Sequence, residues 1–591
     1  MPMNYKLERT EDQPKTSTWS ALRSLLNFLE DEKKVLFYTS GISILNAAAT
    51  LVAPLVIAYI IDEYIVPQEF SGVLTFGAIL LGLYLVALVT SYFQTKLMGG
   101  VGQRVLFTLR NGLFHKLLEL PVAFFDANKT GDLISRINND TDKLNQFFSR
   151  TLVSFFMSAV IMVGAALFML VLNFKLALVA LAPALLLIGF TQLVSPWIKR
   201  VNQNAARATG DLSGEISESI ANFKVIVAFN QRTFFKDNFA EANEQNYQKS
   251  IAAGIANNTF SPVFQFAAYG AQLLVLAYGV YLVTTGELTI GLLIGFLSYV
   301  GSFYDPLRQI AGLWANLQVA LASWDRIAVI LKMKNAMQYL TPENSLVKDT
   351  TVPPVMTFKD VSFGYTDDKR VLSDINLSLE AGKTYALVGP TGGGKTTTAL
   401  LMARLYDPTQ GTVLLNGRDI RTYSNEERTQ KISFILQEPI LFSGTIKDNL
   451  LYGNEDYRDY TDEAFKAVIT QRGLLPLLER FEDGLATEVV NVGGGISLGQ
   501  KQLITFMRSI LRQPDLLILD EATANIDTVT EQILEDVLEQ LPKKTTRVII
   551  AHRLNTIEDA DEIYFVNAGR VEHAGSMEQA LEMLAAGVRG S

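Results

Sequence analysis

The chain has no cysteine and only three histidines in 591 residues. Disulfides and thiolate metal sites are therefore excluded, and three scattered histidines do not suit a zinc cluster. Missing cysteines say little about compartment. Basic residues are also short, because 51 Lys and Arg face 60 Asp and Glu for a net charge of -9. No basic stripe offsets that balance, which argues against a nucleic-acid partner. Charges are few or absent in six apolar stretches, at 35–61, 73–94, 151–172, 175–195, 260–284 and 288–304. A bilayer crossing takes about 20 apolar residues, so these stretches read as membrane spans rather than buried soluble helices.

A chain of this length exceeds one core, and its composition divides it into a leader at 1–34, a span region at 35–330, a linker at 331–354 and a segment of alternating strands and charged helices at 355–591. The links at 62–72 and 285–288 carry no Lys or Arg, and the link between the third and fourth spans carries only Lys175. The alternate links hold Lys96, Arg104, Arg110, Lys199, Arg200 and Arg207. The excess of positive charge on cytoplasmic loops then puts both termini, and the segment at 355–591, in the cytoplasm of a multi-pass protein of the cytoplasmic membrane. No cleavable signal peptide is expected, since the first apolar stretch follows a long charged leader and is too long for an h-region. The leader's TWSALRSLLNFLE has amphipathic spacing, which fits a helix on the membrane surface or one packed on protein. Connections 95–150 and 196–259 are helical in pattern and longer than loops require. They predict spans that continue into the cytoplasm, with far points near FFDANKTGDLISR and ANFKVIVAFNQ.

GPTGGGKT runs from Gly389 to Thr396. The apolar run TYALVG before it reads as a buried strand, and TTALLMARLY after it has helical spacing. Glycines in that position let backbone N–H groups wrap phosphates at a helix N-terminus, with Lys395 reaching the β- and γ-phosphates of ATP and Thr396 holding Mg2+.

Six spans followed by GPTGGGKT, ILQEPILFSGTIKDNL, ISLGQ, LLILDEATANID and IIAHR, in that order, resemble a half-size ABC exporter over residues 20–585. The resemblance implies an all-α six-helix transmembrane domain followed by an α/β P-loop nucleotide-binding domain. It assigns ATP binding to Tyr365, stacked on adenine, and to Gly389, Pro390, Thr391, Gly392, Gly393, Gly394, Lys395, Thr396 and Thr397. Thr396, Gln437 and Asp520 fall to Mg2+, Glu521 to the general base, and His552 to holding the γ-phosphate and water in line, with Gln437 and Lys395 also in the catalytic set. Positioning and charge stabilisation are most of what phosphoryl transfer needs. Ser497, Leu498, Gly499 and Gln500 correspond to the signature that faces a partner's ATP, and Asp527 to the residue that touches the opposite site. One chain then completes no site alone, and a second half-transporter is required.

The pattern is broken at Leu498, which stands where the signature LSGGQ has its first glycine, and at Asn491, where exporters commonly have glutamate. A leucine fits less closely beside a phosphate than glycine does. The altered signature with Glu521 and His552 intact resembles one type of subunit in heterodimeric exporters, and homodimer and heterodimer both stand. For cargo, the spans hold no Asp, Glu, Lys or Arg deep within them, because Asp62, Glu63 and Asp305 lie at ends. This argues against a charge relay. Phe264, Gln265, Phe266, Tyr269, Gln272, Tyr278, Phe296 and Tyr299 could line a chamber for a small amphipathic or hydrophobic substrate, or could be ordinary helix packing. Pro54, Pro183, Pro196 and Pro262 are hinge candidates, although prolines are common in membrane helices. The reading is an ATP-driven exporter in the lipid bilayer that works by alternating access, with force passing through about 119–137 and 216–232. A lipid flippase or a peptide exporter shares the architecture, and an ATP-gated channel would use the same parts.

Overall fold

A computed structural model describes residues 5–7, 23–25, 28–335, 337, 339–340, 353–366, 369–490, 496–520, 528–550, 560–575, 578–580 and 582–583. Its contacts divide the chain into two compact units, one holding Asp12–Leu118 and Gly131–Lys332, the other Met1–Glu11, Glu119–Thr130 and Met333–Ser591.

The first unit is helical, with α1 Lys33–Ile60, α2 Phe70–Glu119, α3 Leu152–Leu172, α4 Phe174–Ala221, α5 Arg232–Asn258, α6 Phe260–Thr284 and α7 Ile290–Lys332. Among the described residues six helices are long and apolar enough to cross a membrane. Helices suit that solvent because every backbone polar group is satisfied within the segment. The 50 residues of α2 extend about 75 Å at the usual helical rise, far beyond a hydrocarbon core of about 30 Å. Pro54 lies inside α1, and Pro183 and Pro196 lie inside α4. Hydroxyls in the spans bond back to their own helix, as Thr39 Oγ1 does to Val35 O and Ser43 Oγ to Thr39 O, both at 2.8 Å.

The core of this unit sets Ala165, Ala177, Ala180 and Ala271 among larger side chains, and small residues at such crossings let helix backbones approach. Phe264, Phe296 and Tyr299 lie in that core, with Tyr299 OH donating to Leu51 O at 2.5 Å and its ring stacked on Phe168 at 5.6 Å. Phe266 and Tyr269 are exposed instead. The eight aromatic and amide candidates of the last two spans therefore do not line one chamber, and four of them serve packing, since Tyr278 also packs against this core. Asp62 caps the N-terminus of α7, accepting from Gly291 N at 2.7 Å and from Thr289 Oγ1 at 2.5 Å. In the leader, Leu25 and Leu29 are buried, while Ser24 and Phe28 contact Trp324 of α7.

The second unit holds a four-stranded antiparallel sheet, a six-stranded sheet and a two-stranded ribbon. Its longer strands are β1 Met356–Phe363, β2 Leu372–Leu379, β3 Thr384–Val388, β4 Gln410–Leu415, β5 Ile432–Ile435, β6 Leu516–Asp520, β7 Thr546–Ile550, β8 Glu562–Asn567 and β9 Arg570–His573. The six-stranded sheet runs β9-β8-β3-β7-β6-β5, parallel except for the β9 edge. Both β3 and β6 are buried along their whole length, which is why TYALV and LLILD are continuous apolar runs up to the final Asp520. The short helix Val122–Ala127 belongs to this unit and buries Phe124 completely. Asn128 ties the same segment to the N-terminal residues, accepting from Leu7 N at 2.9 Å and donating to Tyr5 O at 2.8 Å.

Candidate nucleotide site

The loop after β3 is shaped by glycines that nothing larger could replace. Gly389 sits at φ 142, and a Cβ there would come within 2.1 Å of Val566 O. Gly394 sits at φ 117, in backbone space that side chains rarely occupy. The loop closes through Gly393 N to Pro390 O at 3.1 Å and leads into α8, Lys395–Met402. Thr398 secures the first turn, its N and Oγ1 both reaching Gly394 O at 2.9 Å. Lys395 is 5% exposed and donates to Gly389 O at 2.8 Å and Pro390 O at 3.1 Å, so its ammonium lies over the loop. A helix N-terminus, a glycine cradle and an ammonium group together suit a polyphosphate.

The sheet brings further residues to the same edge. In the parallel register Ile550 of β7 pairs with Asp520 of β6 and with Leu387 of β3, while Ile435 of β5 pairs with Leu519. Val388, Ile550, Asp520 and Ile435 thus end neighbouring strands on one carboxyl edge, where α/β sheets bind ligands. Asp520 is buried there, and Gln437 is exposed beyond β5. Thr391 and Thr396 are exposed, whereas Thr397 is buried. The hydroxyl, amide and carboxylate of Thr396, Gln437 and Asp520 are the oxygen donors that Mg2+ prefers. Glu521, Asp527 and His552, like Asn491, lie outside the described residues.

Tyr365 follows β1 and is 46% exposed, with its hydroxyl 3.0 Å from Thr397 Oγ1. Its ring packs edge-on against Phe363 at 5.0 Å and Tyr406 at 5.2 Å. Tyr406 OH in turn donates to Asp126 Oδ2, in the short helix Val122–Ala127. Burial, then the hydrogen bond to Asp126 and its charge, raise the Tyr406 phenol well above its ordinary value. Burial also raises Tyr365, against a lowering by the Thr397 hydroxyl. Both phenols therefore stay protonated near neutral pH, and Tyr406 remains a donor. Neither Tyr406 nor Asp126 carries a motif, and no local signal in the sequence joins two residues 280 positions apart.

The ISLGQ segment opens α9, Leu498–Leu511. Ser497 and Gln500 form a reciprocal cap, Ser497 Oγ accepting from Gln500 N at 3.2 Å and Gln500 Oε1 from Ser497 N at 3.0 Å. Leu498 occupies the first helical position and is 48% exposed. The leucine leaves the cap intact and presents its side chain outward, so any effect falls on what meets that surface.

Comparison with known proteins agrees with this architecture. Residues 36–307 match the ABC transporter transmembrane region, and residues 372–524 match the ABC transporter family. An uncharacterized ABC transporter ATP-binding protein of Bacillus subtilis is 31% identical over 579 residues, covering 98% of this chain and 95% of that protein. A fatty acid ABC transporter ATP-binding/permease protein of Mycobacterium bovis is 33% identical, covering 87% and 80% respectively. A multidrug resistance ABC transporter ATP-binding and permease protein of Lactococcus lactis is 30% identical, covering 84% and 83%.

Proposed function

Because the chain belongs to the ABC transporter family as a half-size exporter, a multi-pass membrane protein that binds and hydrolyses ATP to drive export, we propose that it forms one half of a dimer that moves an amphipathic or hydrophobic molecule across the cytoplasmic membrane by alternating access. The observation that carries the reading is the carboxyl edge of the six-stranded sheet, where the cradle at Gly389–Thr397, Gln437 and Asp520 converge. In this reading the cradle and Lys395 hold the triphosphate, and Tyr365 stacks on adenine. Glu521 polarises the attacking water and His552 keeps it in line. Thr396, Gln437 and Asp520 would hold Mg2+, which supplies charge neutralisation at the phosphates when bound.

Both termini and the ATPase domain are assigned to the cytoplasm, with the span region at 35–330 and the ATPase domain at 355–591. Force passes through two segments. The first, Val122–Ala127, has Asp126 held by Tyr406. The second, Phe223–Ala228 with its flanks, exposes Phe223, Val225 and Phe229, which favours docking on the partner's ATPase domain. The partner is a second half-transporter, either another copy of this chain or a different subunit, and the altered signature at Leu498 suits the second.

Reconstitution tests the reading. In inside-out vesicles ATP should drive turnover-limited uptake of a labelled lipophilic compound, and ADP should not. Single-channel currents in place of such flux would convert the pump to an ATP-gated channel. Flipping of a fluorescent phospholipid with no other cargo would narrow it to a flippase. Active dimers from this chain alone would reject the unequal pair.

A further inference from the structure

The membrane unit contains a polar cavity that ATP chemistry does not use. It is a half-open cleft of about 310 Å3 among α1, α2, α3 and α7, with Asn46, Gln94 and Ser158 buried, Ser91, Thr95, Ser154 and Gln309 exposed, and no Asp, Glu, Lys or Arg in its lining. Seven of its eleven lining residues carry a hydroxyl or an amide, an unusual concentration for apolar spans. The hydrogen bonds around it leave a definite set of groups over. Asn46 spends both amide hydrogens, on Ala87 O at 2.7 Å and Thr90 Oγ1 at 2.8 Å. Thr90 donates its own proton to Val86 O, so its oxygen must accept and the orientation of Asn46 is fixed. The Asn46 carbonyl oxygen is then left with no donor among the described residues. Ser158 donates to Gln309 Oε1 at 3.2 Å, which leaves the Gln309 amide hydrogens. Gln94 is only 6% exposed, and neither end of its amide has a partner among the described residues. A largely buried amide in a membrane span without a partner is unfavourable, so water, a ligand or the second half-transporter over the open side must complete it.

We propose that this cavity binds the uncharged, hydroxyl- or amide-bearing head group of the exported molecule, a specificity site that rests on the export reading above. The groups left over include donors and acceptors, from the buried Gln94 and Asn46 and from the exposed Gln309, and a hydroxyl or amide answers both. A carboxylate would bring only acceptors, and either sign of charge would enter without a counter-ion in the wall. Val153, Met157 and Ile161 form the apolar side, against which an adjoining chain can lie. The cleft has room for a small polar head such as a glycerol. Both α2 and α7 run on past the cavity to Glu119 and Lys332. It therefore sits where spans become extensions, which the proposed orientation makes the cytoplasmic, loading end.

The cysteine-free sequence makes the test direct. The full chain carrying S154C as its sole cysteine is placed in lipid nanodiscs, and alkylation by N-ethylmaleimide is timed with three oleoyl probes that differ only at the head. Monooleoylglycerol should slow labelling at least threefold, while oleate and methyl oleate should leave it unchanged. Adding Q94L, or separately Q309L, should abolish the protection. Equal slowing by methyl oleate would reduce the cavity to apolar filling, and preferential slowing by oleate would make it an anion site. Either result overturns the proposal, as does the absence of any slowing, or protection that survives both substitutions. ATP hydrolysis in the same nanodiscs separates the two readings. Hydrolysis without protection rejects the head-group site alone, and protection without hydrolysis rejects the export reading on which it rests.

Discussion

The two units handle polar groups in opposite ways. In the ATPase unit, the strands of one sheet carry Gly389, Gln437 and Asp520 to its carboxyl edge, and the chemistry is gathered in one place. In the membrane unit, polar groups are distributed and most are settled singly, as Thr39 and Ser43 are on their own helix and Tyr304 OH is on Ala180 O at 2.9 Å. The difference follows from the solvent. Water tolerates clustered charge, while lipid requires each donor and acceptor to find a partner nearby. An unsatisfied amide such as Gln94 is therefore informative in a span and would be unremarkable on the ATPase surface.

Substitutions can break this contrast, beginning with the gathered chemistry. E521Q should lower ATP turnover by about 10²- to 10⁴-fold, the usual worth of a general base, while ATP binding persists. Normal steady-state turnover in a preparation without a second active site would remove Glu521 from that role. K395A should weaken ATP binding by about 10- to 100-fold, from loss of a charged hydrogen bond. Unchanged affinity in a fluorescent-nucleotide titration would mean that the phosphate cradle has been misread. Y406F keeps the ring packed against Tyr365 but removes the donor to Asp126. Transport per ATP should fall by roughly two- to tenfold with ATP affinity intact, and a matching loss of affinity would make Tyr406 a nucleotide-site residue only.

The smallest effect belongs to the dispersed side. D62A removes the two contacts that cap α7, which should lower stability by about 1–2 kcal/mol. A thermal unfolding midpoint equal to wild type would show that the cap is redundant.

What could be read from the sequence tracks the same contrast. Gly389 and its neighbours are legible because backbone geometry permits little else there, and the LLILD strand is legible because burial on both faces leaves an unbroken apolar run. Six spans are legible from length and apolar composition. The lining of the cavity is not, since Asn46, Gln94, Ser158 and Gln309 sit on four helices and each looks like a tolerated polar residue in its own window. The aromatic residues of the last spans mislead for a related reason. Periodicity cannot distinguish a ring facing a chamber from one filling a core, and Phe264, Phe296 and Tyr299 fill a core. The contact of Tyr406 with Asp126 joins segments whose proximity only folding creates.

The cap on α7 also has a kinematic consequence. Asp62 fixes the far end of α1 to the start of α7, a Cβ on Gly291 would meet Ala58 O at 2.1 Å, and Tyr299 OH is anchored to Leu51 O further along. Two helices clasped at successive levels turn as a single lever arm. Any reorientation of the membrane unit that preserves these clasps must carry the first and last spans together, and the parting that admits or releases cargo must occur along other seams.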